Sequence, residues 1–297
     1  MTSPGSGILL LDKPQGLSSN AALGRAKRVL GIRKAGHTGT LDPLASGLLV
    51  LCFGEATKVA GFLLDGDKTY IAEIRLGLTT ETDDAEGEVI AERPVPGLDS
   101  KTLESALDAF RGPVEQVPPM YSALKQNGER LYKLARRGET VERPARAVTI
   151  RELTMLEHDQ GRLVVQVCCS KGTYIRSLAR DLGERLGCGA HLSALRRTQS
   201  APYRLSDAVT LEALESMDTD AARARLKSPD SALGHLPAIE LKDEESKRLQ
   251  LGQRLSPQRS GDLCGLVRLY GPHGFLGLGE AEPRGLKPRR LFNAERG

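Results

Sequence analysis

The stretch Leu163-Val164-Val165-Gln166-Val167-Cys168-Cys169-Ser170-Lys171-Gly172-Thr173-Tyr174-Ile175-Arg176-Ser177-Leu178-Ala179-Arg180-Asp181-Leu182-Gly183-Glu184-Arg185-Leu186 changes period in its middle. Leu163, Val165, Val167 and Cys169 alternate with their neighbours, the pattern of a strand with one buried face. Ile175, Leu178, Ala179, Leu182 and Leu186 then recur at helical spacing. Between the two runs lies a polar turn, Ser170 to Thr173. A strand that enters an amphipathic helix through a short polar turn belongs to a packed chain of mixed α and β structure.

The same two periods recur outward from this stretch. Ile8 to Leu11 is a short apolar run halted by Lys13-Pro14-Gln15-Gly16, and Ser18 and Ser19 can cap a helix carrying Ala22, Ala26, Val29 and Leu30 on one face. A turn-rich loop, Gly36 to Pro43, precedes an apolar strand at Leu48 to Phe53. Lys58 to Leu64 reads as helix, Thr69 to Leu76 as strand and Asp99 to Phe110 as helix. From Arg111 to Arg146 the pattern loosens into an arm with one short basic helix near Arg130 to Arg137. Strands are expected near Ala147 to Leu156 as well as at Leu163 to Cys169. Cys188-Gly189-Ala190-His191 has the spacing of two metal ligands without a second pair, and reads as a helix end and turn. Pro229 and Pro237 place a boundary near 235, dividing the chain into 1–235 and 236–297. The second part holds a charged helix, Lys242 to Leu251, and short strands at Leu263 to Tyr270, Gly274 to Glu280 and Lys287 to Phe292.

Composition narrows the function. The 297 residues are 39% hydrophobic and 27% charged, enough apolar material for a core. No apolar run approaches the roughly 20 residues of a membrane span. The first residues lack the pattern of a secretory signal, and Cys52, Cys168, Cys169, Cys188 and Cys264 are odd in number, so reduced thiols and a cytoplasmic location are expected. The formal charge of +4 conceals segregation. Residues 65–108 carry four basic and twelve acidic groups, whereas 111–151 carry nine and four and 171–204 seven and two. Such basic segments suit a polyanion if the fold gathers them on one face. No P-loop, dinucleotide fingerprint or nucleophile elbow is present, and nothing calls for a cofactor or a metal.

Three residues stand out for chemistry, each with a plainer alternative. Asp42 lies in Gly36-His37-Thr38-Gly39-Thr40-Leu41-Asp42-Pro43, where Pro43 biases it away from helix; it is either a presented carboxylate or the acceptor of a local turn. Arg176, if buried, needs an acidic partner, and pairing with Asp42 would lower that carboxyl's pKa and suit a nucleophile or general base. Otherwise it is a solvated surface arginine. Tyr70 is a strand-entry aromatic in a chain with no Trp, and either packs in the core or stacks on a flipped base.

Six strings occur in order: Leu11 to Gly16, Gly36 to Pro43, Gly54-Glu55-Ala56-Thr57-Lys58, Met120-Tyr121-Ser122-Ala123-Leu124-Lys125, Ser170 to Arg176 and Cys188-Gly189-Ala190-His191-Leu192. Together they resemble the bacterial TruB family of tRNA pseudouridine synthases, which act at uridine 55 of the T loop. The likeness is strong over residues 8–205, and the tail resembles the family's PUA-like RNA-binding domain.

The resemblance implies an α+β fold: a mixed, mainly antiparallel sheet in the catalytic domain, an inserted basic arm at about 111–146 that clamps RNA, and a small β-barrel-like PUA domain. It assigns Asp42 as the essential aspartate, Tyr70 as the ring that stacks on the target uracil and Arg176 as the partner of the aspartate. Leu195 lines the uracil pocket, His37 enters the T loop, Lys13 and Pro14 support the wall of the site, and Tyr174 belongs with the substrate-binding residues. It implies an isomerase without cofactor, acting on the T arm of tRNA as a monomer and without guide RNA. A folding helper, in which RNA binding matters more than catalysis, is the alternative from another class.

Overall fold

The computed structural model describes residues 5–122, 124–126, 128–135, 137–139 and 141–292. Positions 1–4 of the N-terminal reading, 123, 127, 136 and 140 of the expected arm, and 293–297 of the expected tail lie outside the described residues. The opening run is β1 (Gly7–Lys13), α1 (Ser19–Leu30), β2 (Ala35–His37) and β3 (Ala45–Phe53). Next come α2 (Ala60–Asp65), β4 (Lys68–Leu76), a small hairpin of β5 (Leu78–Thr80) and β6 (Val89–Glu92), and α3 (Ser100–Asp108). After β7 (Gly112–Gln116) the arm contributes β8 (Lys125–Gln126), β9 (Glu129–Arg130) and α4 (Leu131–Ala135). Four longer elements follow: β10 (Arg146–Asp159), β11 (Arg162–Cys169), α5 (Ile175–Arg185) and β12 (Ala190–Ser200). Then come β13 (Tyr203–Arg204), β14 (Val209–Thr210), α6 (Leu211–Glu215) and α7 (Thr219–Ala224). The tail holds β15 (Ala238–Glu240), α8 (Asp243–Gln250), β16 (Gly265–Gly271), β17 (Gly274–Glu282) and β18 (Gly285–Leu291).

The main sheet runs β14-β1-β3-β12-β4-β11-β10-β7, with β2 beside β3 and β13 beside β12. It is mainly antiparallel; β1 with β14 and β3 with β12 are the parallel pairs. Alternation along β1 sends Leu9 and Leu11 to one face and Ile8 and Leu10 to the other. The first face packs against α1, α3 and α5, whose Leu30, Leu107 and Leu182 are fully buried. Each such leucine contributes on the order of 2 kcal/mol of transfer free energy. The start points of α1 and α3 follow from their caps: Ser18 Oγ accepts the Ala21 N–H at 3.2 Å and Asp99 Oδ1 accepts the Thr102 N–H at 2.8 Å.

β12 is a central strand; the turn expected at Cys188 to His191 holds for Cys188 and Gly189, whereas Ala190 and His191 already begin β12. His191 is its second residue, with Nδ1 2.9 Å from the Leu78 carbonyl oxygen. Helix α5 lies close on β12: a Cβ at Gly183 would come within 2.2 Å of the Ala190 nitrogen. The five cysteines are free, and burial pushes the Cys52 and Cys169 thiols up to about 12.

The tail forms a four-stranded sheet, β15-β16-β17-β18, around its own core of Val267, Leu269 and Leu286. Its Leu278 and Phe292 also pack with Ile8, Val50 and Leu63 on the second face of the main sheet. Lys58 Nζ donates to the Leu291 carbonyl at 2.8 Å and sits 6.0 Å from the Phe292 ring centre. No helix among the described residues is long and apolar enough to cross a membrane.

Candidate active site

Asp42 sits in the loop between β2 and β3, and the loop is pinned from three sides. Ser19, the first residue of α1, accepts the Leu41 N–H at 2.7 Å through its hydroxyl, which donates to the Leu41 carbonyl at 2.8 Å. The Gly16 N–H donates to the Pro43 carbonyl at 2.8 Å, joining the turn after β1 to the same loop. Behind it, Lys13 is fully buried on β1, with its ammonium donating to the Pro14 and Leu17 carbonyls at 2.9 and 2.6 Å. Burial lowers the Lys13 pKa to about 8, against the opposing pull of Asp42 and Glu86. Pro14 itself is exposed at the turn.

Arg176 occupies the first turn of α5, where the helix dipole disfavours a cation. Acceptors surround it. Its Nη2 lies 3.0 Å from Asp42 Oδ2 and donates to the Tyr121 carbonyl at 2.8 Å. Its Nη1 donates to the Thr82 carbonyl at 3.0 Å and lies 3.5 Å from Asp84 Oδ2. One guanidinium therefore ties the Asp42 loop, the acidic turn after β5 and the base of the arm. Its side chain is 6% exposed and that of Asp84 4%, so the surface-arginine reading is excluded.

The pairing expected between Asp42 and Arg176 is present, but its effect on Asp42 differs from the expectation. Although 42% of the Asp42 side-chain surface is open, the carboxyl lies low in the cleft, and loss of water pushes its pKa above the ordinary value. Arg176 and Lys13 pull it down, while the nearby Asp84 charge pushes it further up. Burial wins, because one guanidinium serves two carboxylates.

Tyr70 is buried on β4, opposite Val167 of β11 and Arg197 of β12. Leu195 is two residues from Arg197 on the same face of β12, opposite Ala72 and Ala45. The register thus puts Tyr70 and Leu195 on one patch of sheet, next to the strand that emerges from the Asp42 loop. Tyr174 caps α5; its N–H donates to Gln116 Oε1 at 3.0 Å, and its ring feels the charges of Arg176 and Asp42. His37 ends β2 opposite Leu51, with a buried, unpartnered Nδ1 and a pKa lowered by burial and by Arg197.

Two residues of this cleft were not legible beforehand. Asp84 shares Arg176 with Asp42, and Arg197 is a fully buried arginine beside Tyr70. The acidic run around Thr82-Asp83-Asp84 was a signal for the first, since a buried arginine elsewhere needs carboxylates.

The TruB family pseudouridylate synthase N-terminal domain matches residues 27–175. A tRNA pseudouridine synthase B of Ralstonia nicotianae is 55% identical over 296 residues, covering 97% of this chain and 94% of that protein. The chain belongs to the TruB family. The match to the TruB N-terminal domain takes in Asp42, Tyr70 and Asp84 and ends one residue before Arg176. The tRNA pseudouridylate synthase B C-terminal domain matches 176–234, and the pseudouridine synthase II TruB C-terminal domain matches 237–292. A tRNA pseudouridine synthase B of Chromohalobacter salexigens is 50% identical, with 98% and 95% of the two chains covered. Among solved structures, a chain of a Cbf5-Nop10-Gar1 complex superposes with a TM-score of 0.71 at 27% identity, over 97% of this chain and 84% of that one. The TruB fold and the pseudouridine synthase assignment expected from the six strings are thereby borne out.

Proposed function

We propose that the protein converts uridine to pseudouridine at position 55 in the T loop of tRNA, with Asp42 carrying the covalent or general-base step. The observation that carries this reading is the Arg176 guanidinium set between Asp42 and Asp84, next to the patch of Tyr70 and Leu195. Membership of the TruB family supports the substrate class.

The reaction breaks the bond from C1′ to N1, turns the uracil and joins C1′ to C5; it is redox-neutral and consumes no water. A base in a folded loop must leave its stack first, at a cost of a few kcal/mol. In this reading Tyr70 stacks on the extruded uracil, Leu195 closes the apolar wall and Tyr174 borders it. His37 enters the space that the base vacates. Lys13 and Pro14 brace the loop from behind. Arg176 holds the Asp42 carboxylate toward the nucleotide and opposes its protonation. Asp42 attacks the ring, attacks C1′ or removes a ribose proton; all three need an ionised carboxylate in this place.

The arm at 111–146 clamps the T arm, and its eight basic and four acidic groups favour binding without guide RNA. Residues 1–235 hold the chemistry, and the PUA-like residues 236–297 reach a more distant part of the tRNA. The protein works as a cytoplasmic monomer. Unmodified tRNA incubated with the purified chain, followed by chemical mapping of pseudouridine, tests the reading; tRNA that is bound and refolded without modification would favour the folding-helper alternative.

A further inference from the structure

Arg197 is 1% exposed, yet among the described residues no carboxylate lies within ion-pairing distance of it. A buried arginine without a counter-ion is costly, so its position calls for an account. Its acceptors come from separate elements. Nε donates to the Leu48 carbonyl of β3 at 2.6 Å, and Nη2 donates to the Gly39 carbonyl, three residues before Asp42, at 3.1 Å. Across the sheet it faces Tyr70 in direct register. On its other side is Gly47, where a Cβ would come within 2.3 Å of the Arg197 carbonyl oxygen, so β3 and β12 approach closely only because that position is glycine.

We infer that Arg197 is a positioning residue, whose planar fork locks the Gly39 end of the Asp42 loop to β3. The inference rests on the reading of Asp42 and Tyr70 as the groups that meet the base. The geometry explains why an arginine stands here: two carbonyl acceptors on separate elements, Leu48 of β3 and Gly39 of the loop, need two nitrogens in one plane, and a lysine has one. It also explains the absence of an acid partner. A carboxylate would compete with Gly39 for the fork and release the loop. Lys13 and Lys68, both buried, feel the same charge but donate to carbonyls of their own turns, Pro14 and Leu17 for the first and Leu64 and Gly66 for the second.

The test uses Arg197→Lys and the uncharged Arg197→Met in the full chain. Hydrogen exchange is followed in the segment 38–44 and, as an internal control, in strands β16 and β17. Faster exchange confined to the loop supports a positioning role; unchanged loop exchange in a folded variant overturns it, whatever Asp42 does. Single-turnover rates on unmodified tRNA should fall on the order of 100-fold, with the tRNA dissociation constant held within about threefold. A folded Arg197→Lys protein with wild-type rate would reject the inference. If Asp42→Asn also left the rate intact, the assignment of the site would fail while the exchange result still judged Arg197.

Discussion

Arg176 and Asp42 stand 3.0 Å apart, but the arginine is shared: its other terminal nitrogen lies 3.5 Å from Asp84. A single cation between two carboxylates leaves the more exposed one only partly compensated. Burial is the main cause of the raised Asp42 pKa, Arg176 opposes it, and the Asp84 charge adds to it.

Removing Arg176 should therefore move the acid limb of the reaction upward. Asp42 acts ionised, so the rate falls as pH drops through its pKa; without the guanidinium, burial and Asp84 are opposed by Lys13 alone and that pKa rises further. Arg176→Ala should lose activity most at low pH, and Arg176→Lys less, since it keeps charge but not the fork. Single-turnover rates from about pH 5 to 8 decide it. Superimposable profiles for wild type and Arg176→Ala would reject the pairing.

Asp84→Asn should shift the same limb the opposite way. The amide oxygen still accepts from the Thr82 hydroxyl and the Glu86 N–H, as Oδ1 does now, while the negative charge that raises Asp42 is gone. The acid limb should move to lower pH, and the neutral-pH rate should fall on the order of tenfold as Arg176 loses an anchor. An upward shift would show that Asp84 acts on Asp42 through Arg176 position rather than charge.

The sequence revealed the parts of this fold whose period is unbroken. β11 and α5 keep strict spacing and were read nearly to their ends. β12 was missed although it lies at the centre of the sheet, because shifts of register between Leu192 and Ala194 and between Arg197 and Gln199 break its alternation, and Arg196 and Arg197 disguise it as polar surface. The same miss hid Arg197: an arginine in an unrecognised strand gives no hint of burial. Asp42, Tyr70 and Arg176 stand out in the sequence by their surroundings, each beside a plainer alternative, and it is the resemblance of the six strings to one family that chooses between the readings. Asp84 lies outside those strings, and an acidic turn by itself reads as solvated.

Gly47→Ala should be severely destabilising, by roughly 3 kcal/mol or more, because the added Cβ meets backbone at 2.3 Å and φ is +99°. Gly24→Ala, inside α1 with nothing within 4 Å of the new Cβ, should instead stabilise by about 0.5–1 kcal/mol. Urea unfolding of both variants checks the contrast; a tolerated Gly47→Ala would mean that β3 and β12 are not held at this spacing.

The tail cannot be cut at 235 without uncovering Ile8, Val50 and Leu63, so truncation mixes a folding defect with a binding one. Replacing the exposed Arg284 and Arg290 with alanine is the cleaner test of a tail that grips RNA. Binding of full-length tRNA should weaken and its salt dependence should flatten by about two counterions, with turnover of an isolated T-arm hairpin unchanged. Equal losses on hairpin and full-length tRNA would contradict the division of labour.

The central claim is that Asp42 performs the chemistry, and Asp42→Asn tests it most directly. The amide preserves shape and can still accept a hydrogen bond from Arg176, but it is neither a nucleophile nor a base. Single-turnover mapping of pseudouridine in unmodified tRNA, alongside a binding isotherm, should give no product at position 55 with near-normal affinity. Product formed at near wild-type rate by Asp42→Asn would contradict the account.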